Sequence, residues 1–510
     1  MRYHWSCRLF LSLLFISITG AHLAAQGLSG ISGTVTDTSG AVVPDAAVTV
    51  TNVATNVSSS TVTSSAGTYS VTDLIPGTYT VKIEKAGFAA ALLSSVHVDV
   101  SRTTSGDVVL KTGSTTETVE VVAQEITLET TQPQLGAVIE NRLVSDIPTL
   151  IGGGPGNIGA RDRQIDDYLF LAPGVQGGEF SHRINGGVDF ENEVVFNGVV
   201  AVQSETQGLQ SNINPPFEMI GEVQVLSSVF SAQYGLSQGV ASYQFASGTN
   251  TLHGDAFEIV RNTILDAAGA NPPNPDSRPG KGPTPVINQN NYGFSLGGPV
   301  WIPKLYNGKN KTFFHVSADW FRLNLADQSV FTIPTPAEIG GDFSGYVDGS
   351  GKQIPIFVPQ GFVAPSGCSA PAPGTQWPGN KIPTTCFSST SAGLLPLIPA
   401  PNNSGQTNNA TSSVGVLPTR QTNWGFSIDH NLTERQKLHA SYWRDKYDLV
   451  SCCNGGIHVN NELSGLEEEP RLGTGFFLTY SNALKSNLVV TGRIWLDGRN
   501  QQRAQFVFGR

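Results

Sequence analysis

Apolar and polar positions alternate along this chain at two length scales. In GTYSVTDLIPGTYTVKIEKAGF, Gly67 to Phe88, Tyr79, Val81 and Ile83 point one way while Thr78, Thr80, Lys82 and Glu84 point the other. A period of two marks a half-buried strand. Leu74-Ile75-Pro76-Gly77 ahead of it reads as a turn, since Pro presets φ and Gly accepts positive φ. Further short strands are expected at Ile31-Gly33-Val35, at Val48-Val50, and in SVHVDV and GDVVLK. About seven strands in so short a stretch is the count of a small Greek-key sandwich.

From Leu252 onward the alternating runs lengthen. NYGFSLGG sets Tyr292, Phe294 and Leu296 against Gly293, Ser295 and Gly297. TFFHVSADWF sets Phe314, Val316, Ala318 and Trp320 against His315, Ser317 and Asp319. NWGFSIDHNL and NLVVTGRIWLDG continue the pattern, the second with Arg493 and Asp497 opposite Ile494 and Leu496. Dyads of roughly ten residues, apolar on one face and small or polar on the other, suit outer-membrane strands. Aromatics near the strand ends suit the interfacial girdles. A water-soluble sandwich alternates in the same way, so the connections have to discriminate. Thr332 to Asn423 is rich in Pro, Gly, Ser and Asn with little periodicity. A structureless loop of that length argues against a compact soluble domain. Barrels combine long extracellular loops with short periplasmic turns, and LTERQK, Leu432 to Lys437, is a turn of the short kind.

Composition narrows the class. Lys and Arg number 30 against 40 Asp and Glu, for a net charge of −10, so the basic footprint of a nucleic-acid binder is absent. The charged fraction is 14%, low for a soluble domain, and 56 glycines favour strands and loops over helices. Arg2 and Arg8, the apolar run Leu9 to Ile18 and the small residues of AHLAA form a secretory signal with cleavage expected after Ala25. That run is too short to span a membrane as a helix. Export permits disulfides. Cys368 and Cys386 share the long loop and are expected to pair; Cys452 and Cys453 are adjacent and receive no assignment.

Catalytic motifs occur only as fragments. GPGNIG, Gly154 to Gly159, fits a dinucleotide fingerprint without the strand and helix it needs. GLSQG and GFSLG place Ser237 and Ser295 beside or within strands rather than at the strand-to-helix turn of a nucleophile elbow. Asp189, Glu191 and Glu193 read as a solvated turn. No catalytic, metal or cofactor set is expected, and the chain is read as a non-enzyme.

Two resemblances are specific. GTVTDTSGAVVPDAAVTV and TSSAGTYSVTDLIPGTYTVKIEKAGF resemble the carboxypeptidase regulatory-like domain, a carbohydrate-binding-like sandwich of the immunoglobulin and prealbumin kind. The run from Glu218 to Gly235, followed by Gly239-Val240 and ending at Asn250, resembles the plug of TonB-dependent outer-membrane receptors. NPPFE, SAQYG, SGTNTLHGDAFEIVRN, YGFSLGGPV and KTFFHVSADWF are similar to the Oar-like subgroup of that family. Phe196-Asn197-Gly198-Val199 departs from the family's L-D-G-V turn, and GVASYQFAS lacks the usual Lys.

The resemblance implies an all-β-dominated chain. Its parts are a signal peptide (1–25), a sandwich (28–111), a linker (112–124), a mixed α/β plug (125–250) and part of an antiparallel transmembrane barrel (251–510) with an extracellular loop at 332–423. It implies an outer-membrane site with sandwich and plug on the periplasmic side, contact with outer-membrane lipid, and import of a bulky substrate, an oligosaccharide or a peptide. It also implies a TonB-type energy transducer as partner. TETVEVVAQ lies where such receptors keep the transducer-binding strand, making Thr118, Val119, Glu120, Val121 and Val122 candidates for capture by β-augmentation. A second reading makes this stretch one more strand of the sandwich. The alternative to a transporter is a non-transporting, β-rich surface or adhesion protein. Dyads after Asn250 number about eight, starting near Leu252, Tyr292, Thr312, Phe331, Trp424, Leu438, Phe476 and Leu488, whereas a barrel that holds a plug has about 22 strands. The sequence therefore reads as the N-terminal half of a receptor, from a partial or prematurely ended frame, with an open, curved sheet expected beside the plug.

Overall fold

The computed structural model describes residues 29–113, 118–122, 135–140, 165–178, 181–188, 192–201, 214–228, 238–265, 287–326, 330–411, 415–452, 466–485, 488–497 and 502–509. The signal segment, GPGNIG, Ser237 and Asp189 and Glu191 lie outside these residues. The described chain is built of strands.

The first body is a two-sheet sandwich. β1 (Gly30–Asp37) pairs antiparallel with β4 (Thr68–Thr72) and parallel with β7 (Thr103–Ser105) and β8 (Val108–Leu110). The second sheet holds β2 (Ala47–Asn52), β3 (Ser58–Val62), β5 (Gly77–Glu84), β6 (Ala90–Val98) and β9 (Thr118–Val122), in the order β3-β2-β5-β6-β9. Alternation decides what faces inward: Ile31, Val35, Val48, Val50, Val81 and Ile83 are buried between the sheets. Gly33 is required by close approach, because a Cβ there would sit 2.4 Å from the Gly106 carbonyl oxygen. Tyr69 buries its ring and donates its hydroxyl to that same carbonyl at 2.7 Å. Burial, with the charge of Asp107 adding, pushes the hydroxyl's pKa well above the ordinary tyrosine value. The expected turn at Leu74 to Gly77 is present, and Tyr79 closes it by donating to the Ile75 carbonyl at 2.7 Å.

The second body is an inner domain whose described residues form a five-stranded sheet. Its strands are β10 (Leu135–Glu140), β13 (Asn192–Phe196), β14 (Val199–Val200), β15 (Ile220–Ser228) and β16 (Gly239–Phe245), ordered β10-β15-β16-β13-β14. A hairpin of β11 (Val175–Gly178) and β12 (Ser181–Ile184) lies beside it. RQIDDYLFLAPGV yields a 3-10 helix, Ile165–Leu171, followed by Pro173 and Gly174, the latter with φ 85°. The inner-domain strand β13 is buried on both faces, all five of its residues being buried.

The third body is a wall of eight antiparallel strands. They are β17 (His253–Asn262), β18 (Ile287–Pro299), β21 (Thr312–Ala326), β24 (Val416–Asn431), β25 (Gln436–Cys452), β26 (Leu466–Lys485), β27 (Leu488–Asp497) and β28 (Gln502–Gly509), paired in that order. β17 and β28 are not paired to each other, so the sheet stays open. The β18–β21 connection carries a small hairpin, β19 (Trp301–Ile302) with β20 (Tyr306–Asn307). One expected wall strand is corrected. Val330–Phe331 (β22) pairs only with Ala410–Thr411 (β23), outside the wall. Pro334 and Pro336 follow it, and Pro cannot donate to a ladder. Thr335 instead caps a short helix, α1 (Pro336–Ile339), with its hydroxyl accepting from Glu338 N–H. The eighth strand is β28, which the dyad count left out.

The long loop is folded rather than structureless, and β24 already begins at Val416. Val358, Trp377 and Cys386 form its buried centre. Asn380 ties it together, donating to the carbonyls of Phe343 and Ile354 at 2.8 Å each and accepting from Ile356 N–H at 2.7 Å. A second short helix, α2 (Ser389–Leu394), follows Cys386.

Candidate functional site

The described residues of the central wall strands alternate between a buried inner row and an exposed outer row. On β24, Thr419, Gln421, Asn423, Ser427 and Asp429 are buried on one face, with Asn423, Ser427 and Asp429 bonded to the inner domain, while Trp424, Phe426 and Ile428 remain exposed on the other. β18 shows the same division, with Gln289 and Asn291 inside and Tyr292 and Phe294 outside. An apolar outer row on a sheet with a polar inner row is the lipid-facing arrangement of a barrel.

The inner row has a feature the sequence pattern concealed. Trp443, Phe477 and Trp495 come from neighbouring strands and point inward with no exposed surface to speak of. They meet Phe196 and Phe245 of the inner domain: Phe196 stacks on Trp495 at 5.8 Å between ring centroids, and Phe245 meets Trp443 edge-on at 5.5 Å. Phe196 also stacks on Tyr243 at 5.0 Å, and Trp443 contacts Trp495 at 5.3 Å. These rings form one cluster across the boundary between the two bodies. Gly475 makes room for it, because a Cβ there would lie 2.1 Å from Trp443 Cζ2.

A polar relay runs beside the rings. Asn197 and Gly198 form the turn between β13 and β14 with φ of 43° and 77°. Asn197 Oδ1 accepts from Phe245 N–H at 2.8 Å, which fixes the amide and leaves Nδ2 as the donor to His439 Nε2 at 2.9 Å. His439 must then carry its proton on Nδ1, which donates to Asp429 Oδ1 at 2.7 Å. Ser247 donates to the other Asp429 oxygen at 2.6 Å, and Ser427 to the Ala246 carbonyl at 2.6 Å. Inner domain and wall are thereby joined on both sides of one carboxylate.

The sandwich docks on both bodies through polar contacts. Val100 N–H donates to Glu222 Oε1 of β15 at 2.8 Å, and the Ser101 and Ser242 hydroxyls lie 3.1 Å apart. Asn250 reaches Thr55 O at 2.6 Å and Ala54 O at 3.0 Å. Lys437 of β25 donates to Asp73 O at 2.7 Å, and Ser481 of β26 donates to the Asp73 carboxylate.

The residues singled out from sequence fall as follows. Thr118–Val122 is the edge strand of the sandwich, parallel to β6 from Ala90↔Thr118 to Ser94↔Val122, as the second of the two readings had it. Cys368 and Cys386 are joined, with Cα atoms 4.6 Å apart. Ser295 sits in mid-strand and donates to Asp255, with no turn around it. Glu193 is buried in β13, so it is no part of a solvated turn. Asn197, Ser247, Glu222, Asp429 and His439 were not anticipated. The only available signal was the departure to Asn197 at the family's turn, and nothing in the sequence tells which His or Asp stands opposite it.

Comparisons with known proteins agree with this architecture. The outer membrane beta barrel domain matches residues 244–509, and the carboxypeptidase regulatory-like domain matches 30–111. The chain is 27% identical over 289 residues to the TonB-dependent transporter Oar of Myxococcus xanthus, covering 54% of this chain and 26% of that protein. It thus spans about a quarter of this curated relative's length. Among solved structures, a mutant ferric enterobactin receptor from Pseudomonas aeruginosa bound to enterobactin matches at 10% identity and TM-score 0.38, over 72% of this chain and 41% of that one. The siderophore receptor PirA from Acinetobacter baumannii matches at 12% identity and TM-score 0.30, over 71% and 47%. The expected resemblance to Oar-like receptors is present in sequence, and the relatives reported are transporters and receptors. With the barrel domain matched over more than half of its 510 residues, the chain belongs to the outer membrane beta barrel domain family and is an outer-membrane protein with a carboxypeptidase regulatory-like domain ahead of its wall.

Proposed function

We propose that the chain acts as an Oar-like TonB-dependent receptor, with the inner domain as plug, and not as an enzyme. The observation that carries this reading is the aromatic seam. Inward-facing Trp443, Phe477 and Trp495 have no place in a water-filled pore, and here they pack on Phe196 and Phe245 of a separately folded sheet. A wall whose inner face is shaped to hold a folded domain is a wall built to be plugged. The loops at the far end, including the disulfide-bonded excursion, would take a bulky substrate, an oligosaccharide or a peptide. The sandwich and the underside of the plug would face the periplasm. A TonB-type transducer would engage Thr118–Val122 by strand addition, through backbone hydrogen bonds with alternate side chains read for selection.

Site-directed crosslinking in cells tests the partner. A photoreactive residue at Val119 should crosslink to the transducer, and Val121→Pro in the same chain should abolish the product by removing a ladder donor. Crosslinking that survives Val121→Pro would remove the assignment of this strand.

A further inference from the structure

The connection from β18 to β21, Pro299 to Thr312, carries three Lys and no Asp or Glu in a chain whose net charge is −10. It folds as the β19–β20 hairpin, closed by Leu305 N–H donating to the Ile302 carbonyl at 3.0 Å and Gly308 N–H to the Val300 carbonyl at 2.8 Å. The register of the wall tells where it lies. Thr312 stands opposite His430, two residues beyond the exposed Ile428, so both belong to the outer row. Thr312 Oγ1 is 2.6 Å from His430 Nδ1, and the Tyr306 hydroxyl bonds to that same Thr312 oxygen. Tyr306 thus pins the hairpin to the outer face of the wall. Asn310 fixes the end of the wall concerned: it exchanges hydrogen bonds of 2.6 and 2.7 Å with Asn250, the residue that also meets Thr55 of the sandwich.

The tip is apolar and open. Trp301 is 66% exposed and Leu305 80%, with Ile302 exposed as well. Leu252 adds an apolar side chain at the same end, 69% exposed, and a Cβ on outer-row Gly298 would sit 3.0 Å from its Cδ1. Exposed apolar groups gathered in one place mark a binding surface. This one continues the outer row of Tyr292, Phe294, Phe426 and Ile428 to its margin, so it extends a lipid-facing surface already present. Lys304, Lys309 and Lys311 are exposed around it. Trp and Lys together suit the headgroup level of a bilayer, where an indole sits across the boundary and an ammonium meets phosphate.

We infer that the β19–β20 hairpin is a phospholipid-headgroup clamp on the leaflet nearest the periplasm. Trp301, Ile302 and Leu305 enter the boundary between headgroups and acyl chains. Lys304, Lys309 and Lys311 take the phosphates of anionic glycerophospholipids. The inference rests on the orientation given under Proposed function, with the sandwich toward the periplasm. Wall strands meet acyl chains sideways and slide along them at little cost, whereas a hairpin seated on headgroups fixes the depth of the wall.

Photocrosslinking of the full chain tests this. In cells with radiolabelled phospholipid, a photoreactive residue at Leu305 should give a phospholipid adduct, as should one at Phe426 in the outer row. In vesicles of equal parts phosphatidylcholine and phosphatidylglycerol, the Leu305 adduct should favour phosphatidylglycerol by roughly fivefold or more, the preference expected of even one well-placed Lys. Lys304→Gln/Lys309→Gln/Lys311→Gln should bring that ratio close to one and leave the Phe426 adduct unchanged. Equal labelling of the two lipids by the native chain, or a preference that survives the triple substitution, overturns the proposal. So does a protein adduct at Leu305, or no adduct there while Phe426 labels lipid. A lipopolysaccharide adduct at Leu305 overturns the orientation and the proposal with it. Failure at both positions overturns the placement of the wall in lipid, which separates that failure from the hairpin's own.

Discussion

The inner domain meets two neighbours, and the two contacts are made of different material. Against the wall it buries aromatic rings, with Phe196, Phe245, Trp443, Phe477 and Trp495 in one cluster, beside the relay that ties Asn197 and Ser247 to His439 and Asp429. Against the sandwich it offers hydrogen-bonding groups: Glu222 to Val100, Ser242 to Ser101, and Asn250 at the exit from the domain to Thr55. The hydrophobic part of ring packing is non-directional and is lost only by separating large areas. A set of hydrogen bonds is directional, each worth about 1 kcal/mol net, and water can replace each one. The comparison teaches that one face of the inner domain is built to stay closed and the other to come apart. In a protein whose proposed work begins on the sandwich side, the releasable contact is the one nearest the partner.

The largest expected effect tests the closed face. Trp443→Ala removes a ring at the centre of the cluster and should cost about 3–5 kcal/mol. Its measure is the urea midpoint of the full chain in detergent, followed by tryptophan fluorescence. The sandwich contacts should be untouched, and protection of the Val100 amide against exchange should persist until the wall itself unfolds. A Trp443→Ala chain with the native midpoint would mean that the seam contributes nothing.

Gly475→Ala approaches the same cluster from the opposite direction. The new methyl would overlap the Trp443 ring, with Cβ 2.1 Å from Cζ2, so the ring must shift and strain its neighbours. Overpacking of this kind costs about 1–3 kcal/mol. Combining it with Trp443→Ala should recover part of the loss, because the added methyl then enters the space the ring vacated. Additive losses would show that Gly475 acts through its backbone and not through the ring.

How much of this was legible in the sequence depends on the range of the interaction. Local alternation gives β5, β18 and β21 directly, because strand periodicity is written into consecutive residues. The open wall followed from counting, although the count included Phe331 and left out Gln502–Gly509. Phe331 carries the right side chains but is followed by two prolines, and its partner Ala410 is almost 80 residues away, so no local pattern reveals that it pairs outside the wall. The long loop misled for a similar reason. Its order comes from Asn380 and a disulfide, each a single residue or pair that periodicity does not weigh. The relay through Asn197, His439 and Asp429 joins residues 242 positions apart and could be seen only in three dimensions.

The releasable face is probed by Glu222→Ala. This removes the acceptor of the Val100 N–H, which is buried, and should cost about 1–3 kcal/mol of docking through the unsatisfied group. Exchange at the Val100 amide should accelerate by one to two orders of magnitude, while the urea midpoint of the wall stays unchanged. A shift of both together would break the distinction between the two faces, since it would make the sandwich contact part of the same cooperative unit.

The smallest expected effect concerns acid. Asp99 immediately precedes Val100, and its carboxyl is held below the ordinary carboxylate range, chiefly by the hydrogen bond from His97 and further by Arg102. The contacts are 3.2 Å from His97 Nε2 and 3.4 Å from Arg102 Nη1. A carboxyl whose folded pKa is depressed contributes stability that is complete above its unfolded value, near 4, and is lost as pH falls through the lower folded value. The three side chains are partly exposed, so solvent screening keeps the contribution under about 1 kcal/mol. Acidification through that window should therefore loosen the Asp99–Arg102 turn and, with it, the Val100 donor that faces Glu222. Exchange at Val100, corrected for the intrinsic rate, should rise modestly as pH drops below about 4. Asp99→Asn should raise it at neutral pH and flatten the acid dependence. If Asp99→Asn leaves the acid response of Val100 intact, the response belongs to another group on the docking face, with Glu222 the first to examine.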